Sequence, residues 1–131
     1  SEDPQVEQVG MSVAMDYERS QGRVPEDISD QNLGFDIRST DPTAGFKRYI
    51  EVKARAGVGS VALTQNEWFK ARRFGDDYYL YVVLNAATDP QLYIIQNPAA
   101  RLQPEEWVEV RYRVPLEAVL QQGEVAKVGK N

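Results

Sequence analysis

The sequence predicts an α/β domain built around a mixed β-sheet. Its 131 residues suit one domain rather than two. Segments with helical and strand periodicity follow one another along the chain, which favours a sheet covered by helices. Residues 78–84, Tyr-Tyr-Leu-Tyr-Val-Val-Leu, are apolar and aromatic throughout, as expected for a strand buried on both faces of a sheet. We therefore predict one domain over residues 1–131, with its core at about residues 4–114.

The first predicted element is a helix of about 18 residues that ends at Gly22. Asp3 is a suitable N-cap, and Pro4 fits the first helical position because its missing N–H has no helical partner to lose. An apolar stripe at helical spacing marks the face that we expect to be buried, formed by Val6, Val9, Val13 and Tyr17, with Gly10 and Ala14 beside it. Glu18 flanks this stripe.

Three strands follow the first helix in this prediction. A short strand at residues 23–28 precedes a hairpin whose arms are residues 34–39 and 47–55. In the first arm, Phe35 and Ile37 are expected to share one face, because side chains alternate along a strand.

The second arm of the hairpin alternates in the same way. Ile50 and Val52 share one face, while Glu51 and Lys53 share the other. Asp36 lies on the polar face of the first arm. The hairpin therefore places Asp36 on the strand next to Glu51 and Lys53.

A second helix is predicted from Thr64 to Gly75. Thr64 and Glu67 have the spacing of a capping box, in which each side chain bonds the backbone of the other residue. The remaining predicted elements are strands at residues 78–84 and 92–96, a helical turn at 97–101, an edge strand at 107–114, a short helix at 115–121 and a polar tail at 123–131.

The absence of two residue types limits the possible chemistry. The chain has no His and no Cys, which excludes Ser-His-Asp and Cys-His catalysis and thiolate zinc sites. An enzyme with this composition would use carboxylates, Lys, Tyr, Ser or Thr, or a metal ion held by oxygen.

Nothing in the sequence predicts a membrane or secretory role. The first residues lack the basic and apolar regions of a signal peptide, and no apolar run approaches the roughly 20 residues of a membrane helix. The leading Ser1 and the polar tail indicate a segment of a longer protein. We expect a cytoplasmic domain without a membrane partner.

Charge is distributed unevenly along the chain. The net charge is −5 overall, but it is −7 over residues 1–46, +5 over residues 47–75 and −3 over residues 76–131. The basic segment can bind a polyanion such as nucleic acid locally, although on charge alone an ordinary solvated surface is the preferred interpretation. The candidate contacts are Lys47, Arg48, Arg55, Lys70, Arg72 and Arg73, together with Asn66 at a helix start, where phosphate is favoured.

Asp36, Glu51 and Lys53 form the constellation with the clearest chemistry. Two carboxylates brought together repel each other unless a cation or a shared proton lies between them. Mg²⁺ prefers oxygen ligands and is commonly held by one or two carboxylates plus substrate phosphate. A nearby lysine can stabilise the charge that develops on a phosphate. The pattern therefore predicts metal-assisted phosphodiester hydrolysis, and a salt-bridged cluster on the sheet is the alternative.

The same residues resemble the PD-(D/E)xK nuclease superfamily, which has a carboxylate on one strand and Glu-x-Lys on the next. Here these are Asp36 and Glu51-Val52-Lys53, although Phe35 stands in place of the proline. The resemblance implies a restriction-endonuclease-like fold with an α-β-β-β-α-β core. It also implies Mg²⁺ or Mn²⁺ held by Asp36, Glu51 and the Val52 carbonyl, with Lys53 positioning the water. Glu18 is a further candidate carboxylate, with a solvated helix face as its alternative.

Four longer segments are similar to the C-terminal domain named after the plant protein NO VEIN: residues 34–37, 49–53, 63–68 and 75–83. The similarity extends over roughly residues 5–114. It implies a domain attached to a helicase or another large ATPase, or to a defence protein, that would deliver the nucleic acid, with DNA as the expected substrate. Two further readings stay open, an inactive module that binds nucleic acid or protein and a purely structural appendage.

Overall fold

The computed structural model describes residues 3–127 and 129. Within these residues the chain forms a five-stranded mixed sheet in the order β1-β2-β3-β4-β5, with helices on both faces. This confirms the predicted mixed α/β class. The strands are β1 (Val24–Asp27), β2 (Ile37–Thr40), β3 (Lys47–Ala54), β4 (Tyr78–Leu84) and β5 (Gln91–Gln96); the helices are α1 (Pro4–Ser20), α2 (Gln65–Phe74), α3 (Pro98–Arg101) and α4 (Leu116–Gln122).

Strand pairing follows from the connections. β1, β2 and β3 are joined by loops, the first of which contains a 3-10 helix, and they pair antiparallel, as do β4 and β5. β3 and β4 are parallel, because α2 carries the chain back along the sheet between them. β4 lies between two strands, and six of its seven residues are buried, as predicted for residues 78–84.

The first helix begins as predicted but presents a different face to the sheet. The Asp3 side chain accepts a hydrogen bond from the Gln5 N–H at 2.9 Å, and Pro4 is the first helical residue. The buried residues are Gly10, Ala14 and Glu18, whereas the expected valine stripe is only half-buried. The prediction of the buried face was therefore wrong by part of a turn. Small residues face the sheet because the helix packs closely on it.

The start of β2 also differs from the prediction. The chain bends at Asp36, and the strand begins at Ile37. Phe35 packs in the core on the α2 side of the sheet, while Ile37 packs in the core on the α1 side. The expectation that these two side chains share a face was wrong, because strand alternation does not extend through a bend.

β3 separates the two faces of the sheet. Ile50 and Val52 pack on the α1 side. Tyr49 packs with Phe74 of α2 on the other side, and Glu51 and Lys53 alternate onto that same side. The predicted division of β3 into an apolar and a charged face is confirmed.

The chain beyond β5 contains one predicted element that does not form. Residues 107–114 make no strand, and Trp107 and Tyr112 are 78% and 92% exposed. The alternating pattern gives strand propensity, but it supplies no neighbouring strand to pair with. The last helix forms as α4, close to its predicted range. Of the predicted tail, residues 128, 130 and 131 lie outside the described residues.

No helix in the described part of the chain is long and apolar enough to cross a membrane.

Candidate metal and nucleic-acid site

Backbone pairing holds Asp36 beside Glu51. The Asp36 N–H donates to the Ile50 carbonyl at 2.8 Å. The Asp36 Oδ2 atom then accepts a hydrogen bond from the Val52 N–H at 2.9 Å. These two contacts fix the carboxylate just before the start of β2, at the position that would otherwise pair with Glu51. The structure thus brings the two predicted carboxylates together.

Glu51 is the most buried member of this site, with 3% of its surface exposed. Burial, together with the charges of Asp36 and Glu67, raises the pKa of Glu51 to about 10. Burial also raises the pKa of Asp36, although the Val52 N–H and a hydrogen bond from Glu51 oppose that rise. Of the two carboxyl groups, Glu51 therefore holds a proton more readily than Asp36, which reduces the repulsion between them when no cation is present.

Lys53 connects the carboxylates to the start of α2. Its Nζ lies 2.9 Å from Oε1 of Glu67 and 3.4 Å from Oε2 of Glu51. Burial would lower the pKa of Lys53, but the charges of Glu51 and Glu67 outweigh that effect and raise it. Lys53 is therefore a charged ammonium in a largely buried position. We call Asp36, Glu51, Lys53 and Glu67 the Glu51 cluster.

Glu67 belongs to this cluster because of the capping box. The Thr64 N–H donates to Glu67 Oε1 at 2.8 Å, and the Glu67 N–H donates to Thr64 Oγ1 at 3.2 Å. The box was predicted, but the contact between Glu67 and Lys53 was not. The sequence did hold a signal for it, since a helix that starts soon after β3 must place its first turn near the end of that strand.

A cavity of about 150 Å³ adjoins the Glu51 cluster. Asp36, Glu51 and Glu67 line it, together with Thr64 and Asn66 at the start of α2. The N–H groups at a helix start favour a negatively charged group. Asn66 thus lies where it was predicted, beside the carboxylates and exposed to solvent.

The oxygen atoms of this cluster suit a hard divalent cation. The Ile50 carbonyl and the Val52 N–H both point towards Asp36. Within an antiparallel strand, the N–H and the C=O of the same residue point to the same side. The Val52 carbonyl therefore faces the same edge as the Asp36 carboxylate. Asp36, Glu51 and this carbonyl are the donors that Mg²⁺ or Mn²⁺ prefers, with water as the remaining ligands. Within the described residues, no group of three or more acidic side chains is arranged to hold a metal ion.

Glu18 is not brought to this cluster. It lies on α1, on the opposite face of the sheet, and is fully buried there. Arg23 pairs with both of its carboxylate oxygens at 2.6 and 2.9 Å, and the Tyr81 hydroxyl donates to one of them. Burial would raise the pKa of Glu18, but Arg23 and Tyr81 outweigh it and lower the pKa. Glu18 therefore serves a separate ion-pair network.

The predicted phosphate contacts are spread over both faces of the sheet. Arg48 lies on the α1 side, where its guanidinium stacks over the Tyr79 ring. Lys70 is half-buried against Gly34, and its ammonium lies over Phe74. The remaining candidates are exposed to solvent: Lys47, Arg55, Arg72 and Arg73. The basic segment thus does not form one continuous surface.

Comparison with known proteins identifies the family. The family model described as the C-terminal region of protein NO VEIN matches residues 6–95, which extend from the first turn of α1 through α2 and into β5. No curated protein and no solved structure matches the chain significantly. Because the match extends over more than half of the sequence, the chain belongs to the NO VEIN C-terminal domain family.

Proposed function

We propose that this chain is a nuclease domain of the PD-(D/E)xK type, with a restriction-endonuclease-like fold, that hydrolyses nucleic-acid phosphodiesters with a divalent cation. The observation that carries the proposal is the convergence of Asp36, Glu51 and Lys53 beside one cavity at a helix start. The element order helix, three strands, helix, strand is consistent with this fold. DNA is the expected substrate, delivered by a parent helicase, ATPase or defence protein.

Each residue of the cluster has a role in this proposal. Asp36, Glu51 and the Val52 carbonyl would hold Mg²⁺ or Mn²⁺, which supplies Lewis-acid activation of water and phosphate when bound. The Lys53 ammonium would contact a phosphate oxygen and stabilise the charge that develops there. The N–H groups at the start of α2 would orient the phosphate from the other side.

A second candidate function is an inactive module that binds nucleic acid or protein. The contact that favours it is the 2.9 Å ion pair between Lys53 and Glu67. In this pair the Lys53 ammonium is bound to Glu67 and not to a phosphate. Catalysis would therefore require Lys53 to release Glu67 and to bind the substrate phosphate instead. A domain that had lost catalysis would keep this contact as a structural ion pair.

A cleavage assay separates the two candidates. Single- and double-stranded DNA and RNA are incubated with Mg²⁺ or Mn²⁺ and with the wild type, Lys53→Ala, Asp36→Asn and the exposed control Lys127→Ala. Loss of one charge-stabilising group of this kind lowers the rate by about 100-fold or more. We therefore expect metal-dependent cutting that both cluster variants lose and Lys127→Ala retains.

Two results would contradict the nuclease. Cutting that survives in both cluster variants would assign it to a contaminant or to another site. Absence of cutting, together with salt-sensitive binding that the cluster variants retain, would support the binding module instead.

A further inference from the structure

A groove of about 560 Å³ lies on the α1 side of the sheet, away from the Glu51 cluster. We call it the Arg48 groove, and its side chains come from α1, β3, β4, β5 and α3: Tyr17, Arg48, Tyr79, Ile94, Gln96 and Arg101. Its volume is in the range of small-molecule sites, which run from roughly 300 to 1,000 Å³. Neither the nuclease proposal nor its metal site uses this groove.

The groove has an excess of positive charge, because the buried ion-pair network beneath it contains one carboxylate for two guanidinium groups. Glu18 is the carboxylate of that network, and Arg23 engages both of its oxygens. Arg48 Nη1 stands 4.0 Å from the same carboxylate, at the limit of an ion pair. One negative charge therefore faces two guanidinium groups, and the excess positive charge lies at Arg48.

Arg48 is held in place but is not fully hydrogen-bonded. Its guanidinium lies 4.1 Å above the centre of the Tyr79 ring, and its Nη1 donates to the Tyr81 hydroxyl at 2.9 Å. Its Nε is buried and has no hydrogen-bond partner among the described residues. The Arg48 side chain as a whole is 18% exposed and lines the groove, so an incoming anion would meet the exposed part of its guanidinium rather than the enclosed Nε.

Arg101 supplies a second positive charge from the end of α3. It is exposed and forms no ion pair with the described residues. The lining of the groove contains no carboxylate. Two arginines therefore line a space whose other walls include the aromatic and apolar side chains of Tyr17, Tyr79 and Ile94, together with the amide of Gln96.

We propose that the Arg48 groove binds a nucleotide, with its phosphate on Arg48 and Arg101 and its base against Tyr17 and Ile94. A guanidinium is planar and presents paired donors that match the oxygens of a phosphate. The aromatic and apolar walls suit the flat, weakly polar faces of a base. The nucleotide is either free in solution or one unit of a single strand, because both present the same phosphate and base.

Nuclear magnetic resonance titration of the full chain tests this assignment. The probes are adenosine monophosphate, adenosine and a short oligothymidylate, added without metal. We expect the monophosphate, the oligonucleotide or both to shift the backbone amides of Ile94, Gln96 and Arg101, and adenosine to bind at least about 10-fold more weakly because it has no phosphate. Shifts with the oligonucleotide alone would assign the groove to a strand, and shifts with the monophosphate alone to a free nucleotide.

Charge reversal provides the matched comparison. Arg101→Glu is expected to weaken binding by at least about 10-fold, since an arginine–phosphate contact is replaced by like-charge repulsion. Arg113→Glu, at an exposed arginine beyond α3 that belongs to neither site, should leave binding unchanged. Arg101 is exposed, so its substitution leaves the core intact.

Four results would overturn the proposal: no shift at the groove with any probe, equal binding of adenosine and its monophosphate, equal effects of Arg101→Glu and Arg113→Glu, or shifts confined to Asn66 and Glu67. Lys53→Ala, which tests the nuclease, should not change binding at the groove. The two proposals therefore fail separately.

Discussion

At the scale of single residues, the pKa of Glu51 shows how burial beside two other carboxyl groups affects proton binding. Its pKa is raised from 4.5 to about 10 by burial and by Asp36 and Glu67. The folded chain therefore binds this proton more tightly than the unfolded chain between those two values. By linkage, the contribution of Glu51 to stability is present below about pH 4.5 and is lost as the pH rises towards 10.

Glu51→Gln should consequently raise the melting temperature of the metal-free protein, and more so at high pH. The glutamine amide can still donate to Asp36, but it has no proton to lose. We expect an increase of about 3–8 °C near pH 8.5 and a much smaller one near pH 5, measured by calorimetry. Glu105→Gln, at an exposed position, serves as the control.

An equal effect of Glu51→Gln at both pH values would show that Glu51 is charged in the folded protein. The same result with Glu105→Gln would show that the change reflects net charge rather than this site.

The sequence was informative about single residues where spacing alone decides their neighbours. Glu51 and Lys53 are two apart on one strand, so their shared face follows from strand geometry. Whether Glu18 faces the sheet or the solvent does not follow from spacing, because it depends on the rotation of α1 about its axis. Hydrophobicity placed the valines at the centre of the buried face, whereas close packing placed Gly10 and Ala14 there.

At the scale of elements, the contact between α1 and β3 limits which residues the helix can carry. A Cβ atom at Gly10 would lie 2.8 Å from Cβ of Ala54 and 3.4 Å from Cγ1 of Val52. Both neighbours belong to a central strand, so the helix would have to move outwards. The absent side chain at position 10 therefore sets how closely α1 approaches the sheet.

Gly10→Ala should destabilise the protein despite the better helix propensity of alanine. Alanine gains about 1 kcal/mol in a helix interior, while overpacking costs about 1–3 kcal/mol. We expect a net loss of up to about 2 kcal/mol in urea unfolding. Gly57→Ala has open space around it and should change stability by less than about 0.5 kcal/mol. A Gly10→Ala protein more stable than the wild type would mean that α1 does not approach β3 this closely.

Helices whose ends are marked by capping residues were predictable from the sequence. The formation of one strand and the limits of another, which depend on neighbouring strands, were not. The capping box at Thr64 and the N-cap at Asp3 formed as predicted, because each is a contact between residues close in sequence. Residues 107–114 have the alternation of a strand but no neighbour to pair with. The start of β2 was misplaced because the bend at Asp36 depends on contacts with β1 and β3.

At the scale of the whole molecule, stability is concentrated before residue 103. Trp107, Val110 and Tyr112 are all more than 70% exposed. A chain that ends at Leu102 should therefore melt within about 2 °C of the full chain, since little apolar surface is lost.

A chain that ends at Gln96 provides the comparison. It also removes α3 and its fully buried Pro98, so it should melt at a clearly lower temperature. Both melting temperatures are measurable by circular dichroism. If the chain ending at Leu102 lost more than about 5 °C, residues 103–127 would have to pack on the domain in solution.

The alternation of β3 has a consequence for how this domain can change over time. Ile50 and Val52 fill the core on one side, and Glu51 and Lys53 supply the charged cluster on the other. Removing or adding one residue within this strand would exchange the two sets, placing charges in the core and aliphatic groups at the cavity. A change of length inside β3 should therefore disturb the charged site and the apolar core together, whereas replacement of single residues leaves the alternation intact.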